Sequence, residues 1–181
     1  GSGKSTFLKI VSGLLKPSSG EIYLDDKKLI NSNLYTWKNS ISYVEQNVFL
    51  FNNTILHNII LDEKGEPNSN HEKITNIIKG TNLSDFIKSN DNGLNTIILE
   101  NTSNISGGEK QKIGISRAIF KKAKFLLLDE SLSNIDENSI IIILKYLKTL
   151  KSKGILIISH NKKILDICDK IYNLEIKKYI K

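Results

Sequence analysis

A chain of 181 residues with a formal net charge of +7 is long enough for one domain with a sizeable core and too short for two independent ones. The charge comes almost wholly from lysine, Arg117 being the sole arginine, and no basic stripe alternates with aromatics, so nucleic acid is not the expected partner. Cys168 is the sole cysteine, which excludes a disulfide framework within the chain, and the longest apolar run, 140–144, falls far short of the ~20 residues of a membrane helix. No signal peptide is seen.

The chain opens on Gly1-Ser2-Gly3-Lys4-Ser5-Thr6. Gly3, Lys4 and Ser5 fit the last three fixed positions of the phosphate-gripping pattern G-x-x-x-x-G-K-[ST]. In that pattern, backbone N–H groups curl round phosphate, the lysine neutralises the β/γ oxygens and the hydroxyl holds Mg²⁺. The first glycine of the pattern, and the strand that feeds it, are expected before residue 1. Phe7, Leu8, Ile10, Val11 and Leu14 recur at helical spacing, which would turn a helix N-terminus toward the phosphates. A flexible Gly/Ser start to an ordinary helix explains these six residues equally well, so residues further along must decide.

A turn at 16–20 precedes a short strand at 21–24, which leads to a second turn at Asp25-Asp26. Residues 41–44 read as another strand, whose carboxyl end would set Gln46 beside a metal or water. From 54 to 99 the pattern is helical and polar. Ile74, Ile77 and Ile78 share one helix face, Leu83, Phe86 and Ile87 another, and 64–70 reads as a loop. Ser106-Gly107-Gly108-Glu109 has the form of a capping box, with Ser106 as N-cap and Glu109 reaching back, opening a helix through Ile113, Ala118 and Ile119. Two glycines in a first turn are poor helix formers, each costing roughly 0.8–1 kcal/mol against alanine in a helix interior. Another molecule approaching bare N–H groups would account for them, making this a second anion site with the capping box as scaffold.

The run 125–128 is short enough for a buried strand and ends in Asp129-Glu130. Adjacent carboxylates repel unless a cation or solvent relieves them. Asp129 is therefore read as a holder of Mg²⁺ through water, and Glu130 as the group that orients or deprotonates an attacking water. A solvated acidic strand end is the plainer alternative, set aside because Lys4 and Ser5 are present. Asp136 follows in a loop, then a helix with Ile140, Ile143, Leu144, Leu147 and Leu150 on its apolar positions. A third buried strand at 155–158 ends in Ser159-His160, and a histidine there can bridge to a γ-phosphate and sense its loss. His57 and His71 read as surface residues, Cys168 as a buried thiol, and 171–176 as a last short strand.

In this order the pieces resemble the nucleotide-binding domain of ATP-binding-cassette (ABC) proteins across nearly the whole chain. Gly3-Lys4-Ser5-Thr6 resembles the end of Walker A, Gln46 the Q-loop glutamine, and Ile105-Ser106-Gly107-Gly108-Glu109 the LSGGQ signature. Phe125 to Asp129 resembles Walker B, Glu130 the catalytic glutamate, 133–136 the D-loop and His160 the switch histidine. The stretch 41–59, together with Glu100 before the signature, is similar to exporter-type cassettes.

The resemblance implies an α/β P-loop NTPase with a RecA-like, mostly parallel sheet lacking its first strand or strands. Residues 1–47 and 121–181 would form the core, and 48–120 an inserted α-helical subdomain carrying the signature. It implies ATP and Mg²⁺ as cofactors, with Ser2, Gly3, Lys4, Ser5 and Thr6 holding phosphate and Ser5, Gln46 and Asp129 the metal. Glu130, His160 and Gln46 would be catalytic. Ser106, Gly107, Gly108 and Asp136 would contact the nucleotide of a second cassette paired head to tail. The transmembrane domains would lie on the same polypeptide or a separate subunit, so the expected setting is the cytoplasmic face of the cell membrane, with ATP hydrolysis driving export. The stretch 1–181 by itself is expected to bind nucleotide poorly. The alternatives are a non-hydrolysing interaction module and a DNA-repair or translation-type ABC ATPase. The sixty positions between Gln46 and Ser106 leave no room for the coiled coil of the DNA-repair class. Glu109 stands where the family has glutamine, Ser131-Leu132 where it has Pro-Thr, and Glu45 where exporters often have proline.

Overall fold

Three parallel strands form the centre of the computed structural model, which describes residues 3–61, 71–99, 105–174 and 176–180. In chain order the elements are α1 (Lys4–Val11), β1 (Tyr23–Leu24), β2 (Lys27–Lys28), α2 (Asn31–Asn39), β3 (Ile41–Val44), β4 (Asn53–Thr54), α3 (Ile55–Ile60), α4 (His71–Gly80) and α5 (Ser84–Lys88). A 3₁₀ turn (Gly93–Asn95) leads to β5 (Ile97–Ile98), α6 (Gly107–Phe120), β6 (Phe125–Asp129), α7 (Glu137–Thr149), β7 (Gly154–Ile158), α8 (Lys162–Ile167), β8 (Tyr172–Asn173) and β9 (Lys178–Tyr179).

The central sheet has the order β3-β6-β7, with Val44 opposite Leu128 and Asp129 opposite Ile158. Parallel strands with helical crossovers place every carboxyl end on one side. Side chains alternate across β6. Leu126 and Leu128, both fully buried, face a cluster with Ile115, Ile119, Ile140, Ile143, Leu144 and Leu147 of α6 and α7. Leu127 points the other way, joining Leu8 of α1, Ile41, Ile158, Trp37 and Tyr43. Each fully buried leucine contributes about 1.5–3 kcal/mol of transfer free energy, so the central strand is held from both faces. A separate apolar cluster gathers Leu50, Ile55, Ile59, Ile74, Ile78, Leu83, Ile98, Ile105 and Ile113 among α3, α4 and the start of α6. The long helix α6 therefore belongs to both cores.

Several elements depart from the sequence expectation. The stretch 54–99 is bounded by a two-residue antiparallel ladder, Asn53 opposite Ile98 and Thr54 opposite Ile97, so it is not wholly helical. The strand ending at Ile158 is only half-buried, with Leu156 39% exposed, because β7 pairs with β6 on one edge and carries no strand on its other edge among the described residues. The last strand is a small hairpin, Tyr172 opposite Tyr179 and Asn173 opposite Lys178. Helix α2 was not anticipated; Trp37 on it donates from Nε1 to the Val11 carbonyl and fastens α2 to the end of α1. Of the apolar residues expected to pack from α1, only Leu8 is buried, while Phe7 and Leu14 are exposed. His71 is exposed, whereas His57 is half-buried and meets the Phe51 ring edge-on. Cys168 is half-buried and its thiol donates to the Ile164 carbonyl.

Candidate functional site

Helix α1 begins at Gly3, which sits in the left-handed region at φ 76° and caps the helix without a side chain. That conformation favours glycine. Ser2, expected in the same cradle, and Glu100, expected before the signature, lie outside the described residues, as does the loop 64–70. In α1, Ser5 Oγ donates to Asp129 Oδ1 at 2.9 Å. The phosphate-loop candidate and the acidic strand end, 124 positions apart, thus meet directly.

Asp129 is 4% exposed and has a second donor that the sequence reading missed: the Tyr43 hydroxyl gives its proton to Oδ2 at 2.7 Å. Burial, with the neighbouring Asp129 carboxylate adding to it, pushes the Tyr43 phenol well above its usual range, so it stays a donor. A tyrosine in a strand reads as ordinary core, and only the pairing of β3 with β6 brings it to Asp129.

The second carboxylate is gathered just as closely. Glu130 has φ 49°, a conformation uncommon for a non-glycine residue, and its N–H donates to the Ile158 carbonyl of β7 at 3.2 Å. Gln46 Nε2 donates to Glu130 Oε2 at 3.3 Å, and His160 Nε2 lies 3.7 Å from Oε1. Ser5, Gln46, Asp129, Glu130 and His160 therefore stand at one end of one sheet. Gln46 and His160 are exposed and Glu130 is half-buried.

Ser106 forms the anticipated capping box: it accepts from the Glu109 N–H at 3.2 Å, and its own N–H donates to Glu109 Oε2 at 2.7 Å. At Gly108 the need for a bare backbone is internal. A Cβ there would come within 3.0 Å of the Asn134 carbonyl oxygen, whereas at Gly107 the nearest atom would be 4.0 Å away. The missing side chain of Gly108 thus also admits the chain's own loop after β6, a need within the fold beside the expected approach of another molecule. Asp136, expected to reach across to a partner, caps α7 by accepting from Ser139 N–H at 2.9 Å and lies 3.9 Å from Lys112.

Gln111, also missed, is 2% exposed. Its Nε2 donates to the Gln46 carbonyl and its Oε1 accepts from Asn134 N–H, both at 3.2 Å, so one side chain on α6 ties the loop after β3 to the loop after β6. A cavity of about 650 Å³ lies between β3, α3 and α6, lined in part by Val48, Phe49, Ile59, Phe120, Lys73 and Arg117.

Against known proteins, residues 1–133 match the ABC transporter family. The chain belongs to the ABC transporter family. The cassette is 38% identical to a probable ABC transporter ATP-binding/permease protein of Haemophilus influenzae over 97% of its own length and 31% of that protein's. It is 34% identical to the lactococcin-G-processing and transport ATP-binding protein of Lactococcus lactis (97% of this chain, 25% of that one), and 34% identical to the ATP-dependent lipid A-core flippase of Chromobacterium violaceum (94% and 29%). A solved bacterial Atm1-family ABC exporter with ATP bound superposes with a TM-score of 0.85 at 26% identity, over 94% of this chain and 30% of that one. The cassette thus spans less than a third of the length of each of these relatives. Its fold is that of an exporter nucleotide-binding domain of the P-loop NTPase class, and nucleotide binding comes with the family.

The donors at the rim fit a hard cation. Ser5 Oγ spends its proton on Asp129 and keeps lone pairs for a metal, and Gln46 offers an amide oxygen. No cluster of three or more His, Cys, Asp or Glu that could cage a metal exists among the described residues. That suits Mg²⁺, which binds few protein ligands and completes its octahedron with phosphate oxygens and water.

Proposed function

We propose that this cassette is the ATP-hydrolysing engine of an ABC exporter. The observation that carries the reading is the meeting of Ser5 with Asp129, and of Gln46 and His160 with Glu130, at the carboxyl ends of β3, β6 and β7. Gly3, Lys4, Ser5 and Thr6 would grip the phosphates, with Ser2 continuing the cradle. Ser5 and Gln46 would hold Mg²⁺ directly and Asp129 through water; when bound, the ion neutralises charge on the β- and γ-phosphate oxygens.

Glu130 then has the task of accepting a proton from the attacking water. Its half-burial removes competing solvent on one side, and Gln46 keeps the carboxylate turned toward the rim. His160, on the far side of Glu130, would contact the γ-phosphate. Gly107 and Ser106, exposed at the start of α6, are offered to the nucleotide of a second cassette, with Asp136 close by. Head-to-tail pairing closes two such sites, and closure would move transmembrane helices carried by the same polypeptide or a partner subunit. On this reading the cassette works at the cytoplasmic face of the membrane.

The test is Mg²⁺-dependent ATP turnover of the intact protein with and without Glu130→Gln. Loss of a positioned general base is expected to lower the rate by about 10²–10⁴-fold. A variant that turns over ATP as fast as the parent would remove Glu130 from the mechanism.

A further inference from the structure

Both oxygens of Asp129 are engaged, and by donors from different elements: Ser5 from α1 on Oδ1 and Tyr43 from β3 on Oδ2. Two donors on opposite oxygens satisfy the hydrogen-bonding needs of a carboxylate that is only 4% exposed, and they fix the plane of the group as well as its position. Ser5 cannot do this alone, because it reaches only Oδ1 and leaves the carboxylate free to turn about that bond. Tyr43 is independent of the phosphate loop. Its ring is packed with Leu8, Ile41, Leu127, Ile158 and Trp37, on a strand whose register against β6 sets Tyr43 opposite Leu127.

We propose that Tyr43 is a positioning residue for the metal: its hydroxyl holds Asp129 aimed, so that the remaining lone pairs of the carboxylate meet the waters of Mg²⁺ when nucleotide is bound. The role rests on the reading of Asp129 as the metal-organising carboxylate, and it falls to a residue that the sequence reading gave no task. Tyr43 acts through Asp129. Hydrogen-bond partners of this outer kind change metal affinity by about 10–100-fold when removed.

The test is equilibrium binding of a fluorescent ATP analogue to the intact protein, titrated with MgCl₂ and repeated in excess EDTA, for the parent, Tyr43→Phe and Asp129→Asn. Phenylalanine keeps the ring in its apolar setting, and a thermal melt of each variant checks folding. The expected result for Tyr43→Phe is a rise of roughly 10-fold in the Mg²⁺ concentration at half-maximal binding, with affinity in EDTA and melting temperature near the parent's. If Asp129→Asn shifts the Mg²⁺ midpoint and Tyr43→Phe does not, the role of Tyr43 is overturned while the metal reading stands. If neither variant shifts it, both are overturned. A Tyr43→Phe defect of equal size with and without Mg²⁺ assigns the residue to packing and also overturns the proposal.

Discussion

Asp136 shows how one residue serves the local fold while lying close to the proposed site. Its carboxylate caps α7, and hydrogen bonds from Ser139, with Lys112 nearby, hold its pKa below the ordinary 3.8. A depressed carboxylate pKa contributes stability that is complete above the unfolded value and is lost as pH falls through the folded one. Asp136→Ala is therefore expected to lower stability by about 1 kcal/mol at neutral pH, with the difference from the parent shrinking as the pH is taken below 3.8. Denaturant unfolding of both proteins across that range is the check, and a pH-independent difference would contradict the capping account. Glu130 presents the opposite case. Its positive φ is held by β7 through the Ile158 carbonyl, and nothing in the helix or strand pattern requires it. Strain of this kind accompanies sites where a side chain must be aimed.

Among the elements, legibility followed apolar pattern. Strand β6 could be read because an uninterrupted apolar run stops at two acids, and α6 and α7 because their isoleucines and leucines recur on one face. Helix α2, with the sequence NSNLYTWKN, has no such stripe and buries no residue; Trp37 and its bond to Val11 hold it, a tertiary contact that local sequence does not carry. Strand β2 is two lysines, paired only because Asp25 and Asp26 both adopt positive φ and close a two-residue hairpin. The meeting of Ser5 with Asp129, and of Gln46 and His160 with Glu130, was legible where motifs carry it. The site was opaque at Tyr43 and Gln111, whose partners lie 86 and 65 positions away.

Gln111 lends itself to a direct test at this scale. Gln111→Leu removes the bonds to the Gln46 carbonyl and the Asn134 N–H, and a hydrogen bond of this kind contributes about 0.5–1.5 kcal/mol. Denaturant unfolding should show a loss in that range. An unchanged midpoint would mean that the two loops hold their places without it.

At the scale of the molecule, two apolar cores share α6, so a displacement of the helical core relative to the sheet must pass through the helix that also begins at Ser106. Gln46 and the 49–58 segment sit on that path: Arg117 of α6 donates to the carbonyls of Phe49 and Asn58 and to Asn58 Oδ1. No helix among the described residues is long and apolar enough to cross a membrane. The central claim is that the rim hydrolyses ATP through Glu130. The most direct measurement is the chemical identity of the nucleotide trapped by the intact Glu130→Gln protein after incubation with labelled Mg·ATP. The account predicts retained ATP, unhydrolysed, where the parent yields ADP; ADP formed by the variant at the parent's rate would contradict it.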